Sequence, residues 1–166
     1  TMECANSSAT EEEMQEELDT YTLTPGFVET AHFCRNNGIP LMVLSDGLDY
    51  YIDYILKKHG LDFVDYRANH LLFTRGTLGV EFPYSDYGCG KCGNCKRWHM
   101  RAHSKNSEHV IYVGDGYSDR YAIKSADVVF ARRDLRDFCK KEAVDHHPFE
   151  TFFDILSYLE NGHENV

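Results

Sequence analysis

Three short stretches of this chain are apolar at nearly every position, and they constrain the fold more than any other feature. They cover residues 39–44, 109–113 and 127–131. The first does not alternate polar with apolar residues as a half-exposed strand does, so it reads as a strand covered on both faces; the second reads as a buried strand and the third as a strand. Segments with helical spacing separate them. Strands that alternate with helices predict an α/β fold, a Rossmann-like parallel sheet with right-handed crossovers and flanking helices. In such sheets ligands bind at the carboxyl ends of the strands, so the residues that follow each apolar run matter most.

The rest of the chain fits around these strands. Residues 1–10 read as irregular, and 11–20 as a helix with acids in its first turns, where the macrodipole favours them. Thr24 is a candidate N-cap and Pro25 a candidate first residue of a second helix, with Phe27, Val28, Ala31 and Cys34 at helical spacing and Gly38 and Pro40 ending it. Ser45-Asp46-Gly47 closes the first strand. Residues 48–59 read as a helix presenting Leu48, Tyr51, Ile52, Ile55 and Leu56, and 61–82, which alternate and contain Gly76 and Gly79, as short strands and a hairpin. A Gly- and Cys-rich loop covers 83–94. Helices are expected over 96–103, 118–125, 134–141 and 149–160, the last amphipathic through Phe152, Phe153, Leu156 and Leu159. Trp98, Phe149, Phe152 and Phe153 read as core, and His146-His147 as a loop pair.

Composition narrows the partners. A net charge of −10 argues against nucleic acid, whose phosphate backbone selects basic surfaces. It leaves room for a small phosphorylated ligand, which needs only local positive charge. No apolar run approaches the roughly 20 residues of a membrane span, and no basic segment with an apolar run opens the chain as a secretory signal would. A cytoplasmic protein is expected, with its six cysteines as thiols.

Three signals carry chemistry. The first is Gly-Asp-Gly-Tyr-Ser-Asp at 114–119, which sets Asp115 and Asp119 four residues apart just after an apolar strand. Two carboxylates at a strand end suit Mg²⁺, a hard cation that takes one or two protein carboxylates, waters and phosphate oxygens. Gly114 and Gly116 permit a tight turn; an ordinary turn with a capping Asp is the plainer alternative. The second is Leu44-Ser45-Asp46-Gly47, where a hydroxyl and backbone N–H groups at a strand end could hold a phosphoryl oxygen or simply cap a helix. The third is Lys96, able to neutralise phosphate charge, with Lys91 a nearby competitor.

In this order, Ser45, then Lys96, then Asp115 with Asp119, the chain resembles the haloacid dehalogenase-like superfamily over about residues 10–160. It is most similar to the phosphoserine phosphatase-like branch. Within that branch the stretches GCGKCGNCK, GDGYSD, ADVVFAR and HHPFETFFDIL resemble the 2-hydroxy-3-keto-5-methylthiopentenyl-1-phosphate phosphatases and the related phosphoethanolamine and phosphocholine phosphatases. The resemblance implies an Mg²⁺-dependent phosphomonoesterase acting on a small phosphorylated metabolite through an aspartyl-phosphate. Asp115 and Asp119 would hold the metal, with Ser45, Asp46, Gly47 and Lys96 around the phosphoryl group. Residues 1–24 would be the end of a small helical cap and 25–166 the core.

One expected part is missing. The superfamily's first motif, Asp-x-Asp-Gly-Thr after an apolar strand, occurs nowhere in these 166 residues; Asp62 and Asp65 lie three apart without the Gly-Thr. The expectation is therefore that the first strand, with the nucleophile and most of the cap, is supplied by an upstream segment or a second chain. The alternative from another class is a catalytically inactive module that binds phosphate or a partner. A third is an interaction domain stabilised by zinc at Cys89, Cys92 and Cys95, with His99 or His103 as fourth ligand. The preferred reading of that loop is a substrate-side segment whose thiols shape a pocket. Cys4, Cys34 and Cys139 read as core or surface residues.

Overall fold

The computed structural model describes all residues except 1, 4–10, 75–76, 91, 106–108 and 163–166. The expectations for Cys4, Gly76 and Lys91 lie outside the described residues. By internal contacts the chain divides into two units, Thr1–Leu23 with Cys34–Cys95, and Thr24–Phe33 with Lys96–Val166. No helix among the described residues is long and apolar enough to cross a membrane.

The first unit holds a four-stranded sheet. Its strands are β1 (Met2–Glu3), β2 (Met42–Leu48), β3 (Asp65–Thr74) and β4 (Thr77–Glu81), in the order β1-β4-β3-β2. Helices α1 (Glu11–Asp19) and α3 (Asp49–Lys58) belong to this unit, while α2 (Phe27–Asn36) carries the boundary between the units. β2, α3 and β3 form a parallel crossover, and β3 turns back into β4 as the expected hairpin. Met14, Leu18, Leu56, Leu61, Val64 and Ala68 are buried here.

Three expectations change in this unit. Met2–Glu3 is not irregular but pairs antiparallel with β4, because a hairpin edge offers unpaired backbone groups. Ser45-Asp46-Gly47 does not close the strand: β2 continues to Leu48, with a register shift between Leu44 and Leu48. Nor is β2 covered on both faces. Its residues are half-buried or exposed, as befits the edge position it holds in this sheet.

The second unit holds the strands β5 (Ile111–Gly114), β6 (Val128–Ala131) and β7 (His147–Pro148), all parallel in the order β5-β6-β7. Helices α4 (Lys96–His103), α5 (Arg133–Lys141) and α6 (Phe152–Glu160) accompany them. β6 is the central strand and is buried along its whole length, as its unbroken apolar run predicts. Val128, Phe130, Phe149 and Ile155 form the core, with Ile111, Val113, Phe152, Tyr158 and Leu159 packed against it.

Here too the structure corrects details. Residues 118–125 form no α-helix but two 3₁₀ turns, Tyr117–Tyr121 and Ile123–Ser125. His147 is a strand residue paired with Phe130 rather than part of a loop. The last helix starts at Phe152, capped by Thr151, and its buried residue is Ile155, while Phe153 is exposed. Thr24 and Pro25 do not open α2. A turn precedes it, in which the N–H of Phe27 donates to the Thr24 carbonyl, and the Thr24 hydroxyl accepts from Arg132 instead. That turn docks on the start of α6: the Phe152 N–H donates to the Pro25 carbonyl at 2.8 Å, and Thr30 Oγ1 donates to the Phe152 carbonyl at 3.1 Å.

Candidate functional site

The strongest constellation lies in the second unit, at the carboxyl end of β5. The chain leaves β5 at Gly114, turns through Asp115 and Gly116, and enters the first 3₁₀ turn. Asp119, in that turn, is 4% exposed, a level at which a carboxylate must be fully paired. Its partners are all in place. Oδ1 accepts from Lys96 Nζ at 2.7 Å and from the Tyr112 hydroxyl at 2.8 Å. Oδ2 accepts from the backbone N–H of Asp115 at 3.2 Å and of Gly116 at 3.0 Å. Lys96 also donates to Ser118 Oγ at 3.2 Å. One carboxylate thus fixes both the ammonium group of α4 and the backbone of the turn.

Gly114 is required by this arrangement. A Cβ there would lie 2.7 Å from Asp119 Oδ2 and 2.9 Å from Tyr112 Cε1. The same test at Gly116 meets nothing nearer than 3.7 Å, so the second glycine is not sterically demanded.

Asp115 is different. Its side chain is 43% exposed, and Oδ2 accepts from Arg132 Nη2 at 3.3 Å and Arg133 Nη1 at 3.5 Å. No hydrogen bond to its Oδ1 is found among the described residues. Arg132 is anchored by further bonds to the Glu150 carbonyl and Thr24 Oγ1 and lies over the Phe149 ring. Arg133 has a φ of 48°, in the left-handed region that a non-glycine side chain rarely adopts, and such strain is tolerated mostly at functional positions. Sequence reasoning missed this arginine pair. Its signal was there: both follow an apolar strand, at the carboxyl end where ligands bind.

The residues expected around a phosphate divide between the units. Lys96, Asp115 and Asp119 lie in the second; Ser45, Asp46 and Gly47 lie in the first and are described there. They form the irregularity of β2. Ser45 Oγ accepts from the Gly47 N–H at 3.0 Å, so that N–H is already used. The Ser45 carbonyl accepts from Asn94 Nδ2 at 2.6 Å, and the Asp46 carbonyl from Asn69 Nδ2 at 2.8 Å. Both asparagines are buried; sequence reasoning passed over them because a neutral amide carries no charge pattern.

Also in the first unit, the cysteine loop brings Cys89, Cys92 and Cys95 together, and none is in a disulfide. The hydrogen bond shared with Cys89, in which Cys92 holds the proton, then burial and the neighbouring charges, push the Cys92 thiol up to about 11.

The donor set at β5 fits a magnesium ion. Asp115 offers a half-exposed hard oxygen at a strand end, and Mg²⁺ binds through one or two carboxylates while keeping several waters. Asp119 is already engaged by four protein donors.

Comparison with known proteins places this geometry. The model of the family described as Putative Phosphatase matches residues 2–163. A 2-hydroxy-3-keto-5-methylthiopentenyl-1-phosphate phosphatase of Exiguobacterium sp. (strain ATCC BAA-1283 / AT1b) is 36% identical over 142 residues, 84% of this chain and 65% of that protein. Its counterpart from Exiguobacterium sibiricum is 32% identical over 140 residues, 83% of this chain and 64% of that protein. The chain therefore spans just under two thirds of the length of these relatives. Among solved structures, a phospho-aspartyl intermediate analogue of phosphoserine phosphatase superposes with a TM-score of 0.65 at 26% identity, covering 89% of this chain and 69% of that one. A substrate-bound phosphoserine phosphatase complex gives 0.66 at 25% identity with the same coverages. The chain belongs to the Putative Phosphatase family and has the α/β fold of the haloacid dehalogenase-like phosphoserine phosphatases, parallel strands flanked by helices.

Proposed function

We propose that this member of the family is part of a magnesium-dependent phosphomonoesterase acting on a small phosphorylated metabolite. The observation that carries the reading is the Asp119 carboxylate, to which Lys96 Nζ and the Asp115 backbone are bonded on opposite oxygens. It holds a cation and a half-exposed carboxylate at one strand end in a chain whose overall charge is strongly negative.

Asp115 would ligate the magnesium ion, with Asp119 as positioning residue rather than direct ligand. Bound there, the ion would neutralise charge on the phosphoryl oxygens and lower the barrier to attack at phosphorus. Lys96 would bind a non-bridging phosphoryl oxygen, its ammonium group held in place by Asp119 and Ser118 so that little reorganisation remains when charge develops. Arg132 and Arg133 would add positive potential beside Asp115 and keep its side chain oriented. Ser45 is assigned a hydrogen bond to the phosphoryl group from its motif alone. The attacking aspartate is assigned to a residue outside these 166, because no Asp-x-Asp-Gly-Thr occurs among them.

The test is hydrolysis of an aryl phosphate by the full-length natural protein with and without Mg²⁺. Asp115→Asn should remove the Mg²⁺-dependent turnover; normal activity in that variant would overturn the metal assignment. Lys96→Ala should lower turnover by ~100-fold or more, in line with the loss of one preorganised electrostatic group. The absence of the nucleophile motif favours one other reading, a module that binds phosphate without turnover. It would be supported by phosphate binding to the full-length protein with no hydrolysis.

A further inference from the structure

We propose that Cys89, Cys92 and Cys95 form a three-thiolate binding site for a zinc ion. The three Sγ atoms all lie within 4.8 Å of one another, and those of Cys89 and Cys92 are 3.4 Å apart. Zn–S bonds of about 2.3 Å at tetrahedral angles put the sulfurs on one ion about 3.8 Å apart. A disulfide needs about 2.05 Å. The observed spacing brackets the first value and is far from the second.

The loop is shaped before any ion arrives. Cys89 lies between two glycines in the left-handed conformation, Gly88 at φ 87° and Gly90 at φ 67°. Gly93 packs so closely that a Cβ would lie 2.5 Å from the Phe82 ring and 3.3 Å from Asn69 Oδ1. Asn94, 1% exposed, donates to the carbonyls of Ser45 and Arg67, on the paired strands β2 and β3. The segment between Cys92 and Cys95 is therefore pinned to the sheet from two sides. Pinning of this segment reduces the ordering that binding requires.

The burial pattern sets the character of the site. Cys95 is buried, whereas Cys89 and Cys92 reach the surface. Three protein thiolates at the edge of the protein leave the fourth tetrahedral position to water or to a small donor from solution, the pattern of an open rather than a closed zinc site. Binding releases the thiol protons to solvent as the three sulfurs become thiolates, and no oxidant or reductant is consumed.

Cobalt(II) alone is the probe, added to the full-length protein after reduction and removal of metals. Thiolate-to-cobalt charge-transfer absorption should rise and saturate at one ion per chain, and zinc should then displace the cobalt. Mass spectrometry of the zinc-loaded protein should find about one zinc per chain. Cys92→Ser, at an exposed position, should fold normally by circular dichroism and lose the absorption, with zinc affinity falling by more than the ~10–100-fold typical of losing an outer hydrogen-bond partner of a ligand. Asp115→Asn should keep the absorption, which separates this site from the proposed magnesium site and its fate from the failure of the phosphatase reading. No charge-transfer band in the reduced protein would overturn the proposal, as would a band unchanged in Cys92→Ser. So would peptide mapping that finds a Cys89–Cys92 disulfide re-forming in air with zinc present in excess.

Discussion

The carboxyl end of β5 and the irregularity within β2 are built on opposite principles. At β5 a buried carboxylate gathers an ammonium group, a phenol and two backbone N–H groups. At β2 the backbone carbonyls of Ser45 and Asp46 are held by the neutral amides of Asn94 and Asn69. Charge-assisted bonds in a desolvated place are strong when complete and costly when broken, because the remaining ions stay buried. Neutral amide bonds shape the chain just as definitely but risk less. The first design suits a site that must handle charge; the second suits a scaffold.

That contrast can be broken by substitution, and the largest effect is expected at Asp119. Asp119→Ala leaves Lys96, Tyr112 and two N–H groups without their acceptor. It should cost ~3–5 kcal/mol in urea unfolding, as loss of one partner of a buried ion pair does. A cost near 1 kcal/mol, the figure for an ordinary hydrogen bond, would remove the distinction between the two places. Gly114→Ala comes next. Its methyl group must displace Asp119 or Tyr112, for the upper part of the ~1–3 kcal/mol typical of overpacking. Gly116→Ala is the control and should stay within ~0.5 kcal/mol.

On the neutral side, Asn94→Ala removes two bonds to carbonyls and should cost about 2 kcal/mol, at about 1 per bond. A larger loss than that of Asp119→Ala would invert the comparison. The smallest effect tests burial itself. Asp154, on the surface at the start of α6, also accepts two backbone N–H bonds, from Thr151 and Glu150. These hold its carboxyl below the ordinary value of 3.8. Because the folded pKa is the lower one, the stabilisation is complete above that ordinary value and fades as pH falls through the depressed one. Asp154→Asn should therefore cost less than ~1 kcal/mol at neutral pH after solvent screening, and nothing in strong acid. Urea titrations of both proteins at several pH values would check this.

The same contrast explains what the sequence let a reader see. Buried strands announce themselves by unbroken apolar runs, and β6 is one. Carboxylates four apart after such a run, and a lysine at a helix start, announce a charged site. Asp115, Asp119 and Lys96 could be singled out as candidates for that reason. Their division of labour was not legible, because only distances distinguish a saturated carboxylate from one with an oxygen to spare. Met2–Glu3 and β7 escaped because two-residue strands have no periodicity and form only where a neighbouring edge accepts them. β2 was misjudged because an apolar run gives no hint of which strands will flank it. Arg132, Arg133, Asn69 and Asn94 were not singled out, because no spacing in the sequence marks an arginine or an amide for a particular partner.

Asn94 has a mechanical meaning beyond its bonds to the Ser45 and Arg67 carbonyls. It stands between Cys92 and Cys95 in the chain, and its amide grips the backbone beneath Ser45. The thiol loop and the strand irregularity consequently share one rivet. Moving the segment between those two thiols would break its hold on the Ser45 carbonyl and on the Arg67 carbonyl of the neighbouring strand together.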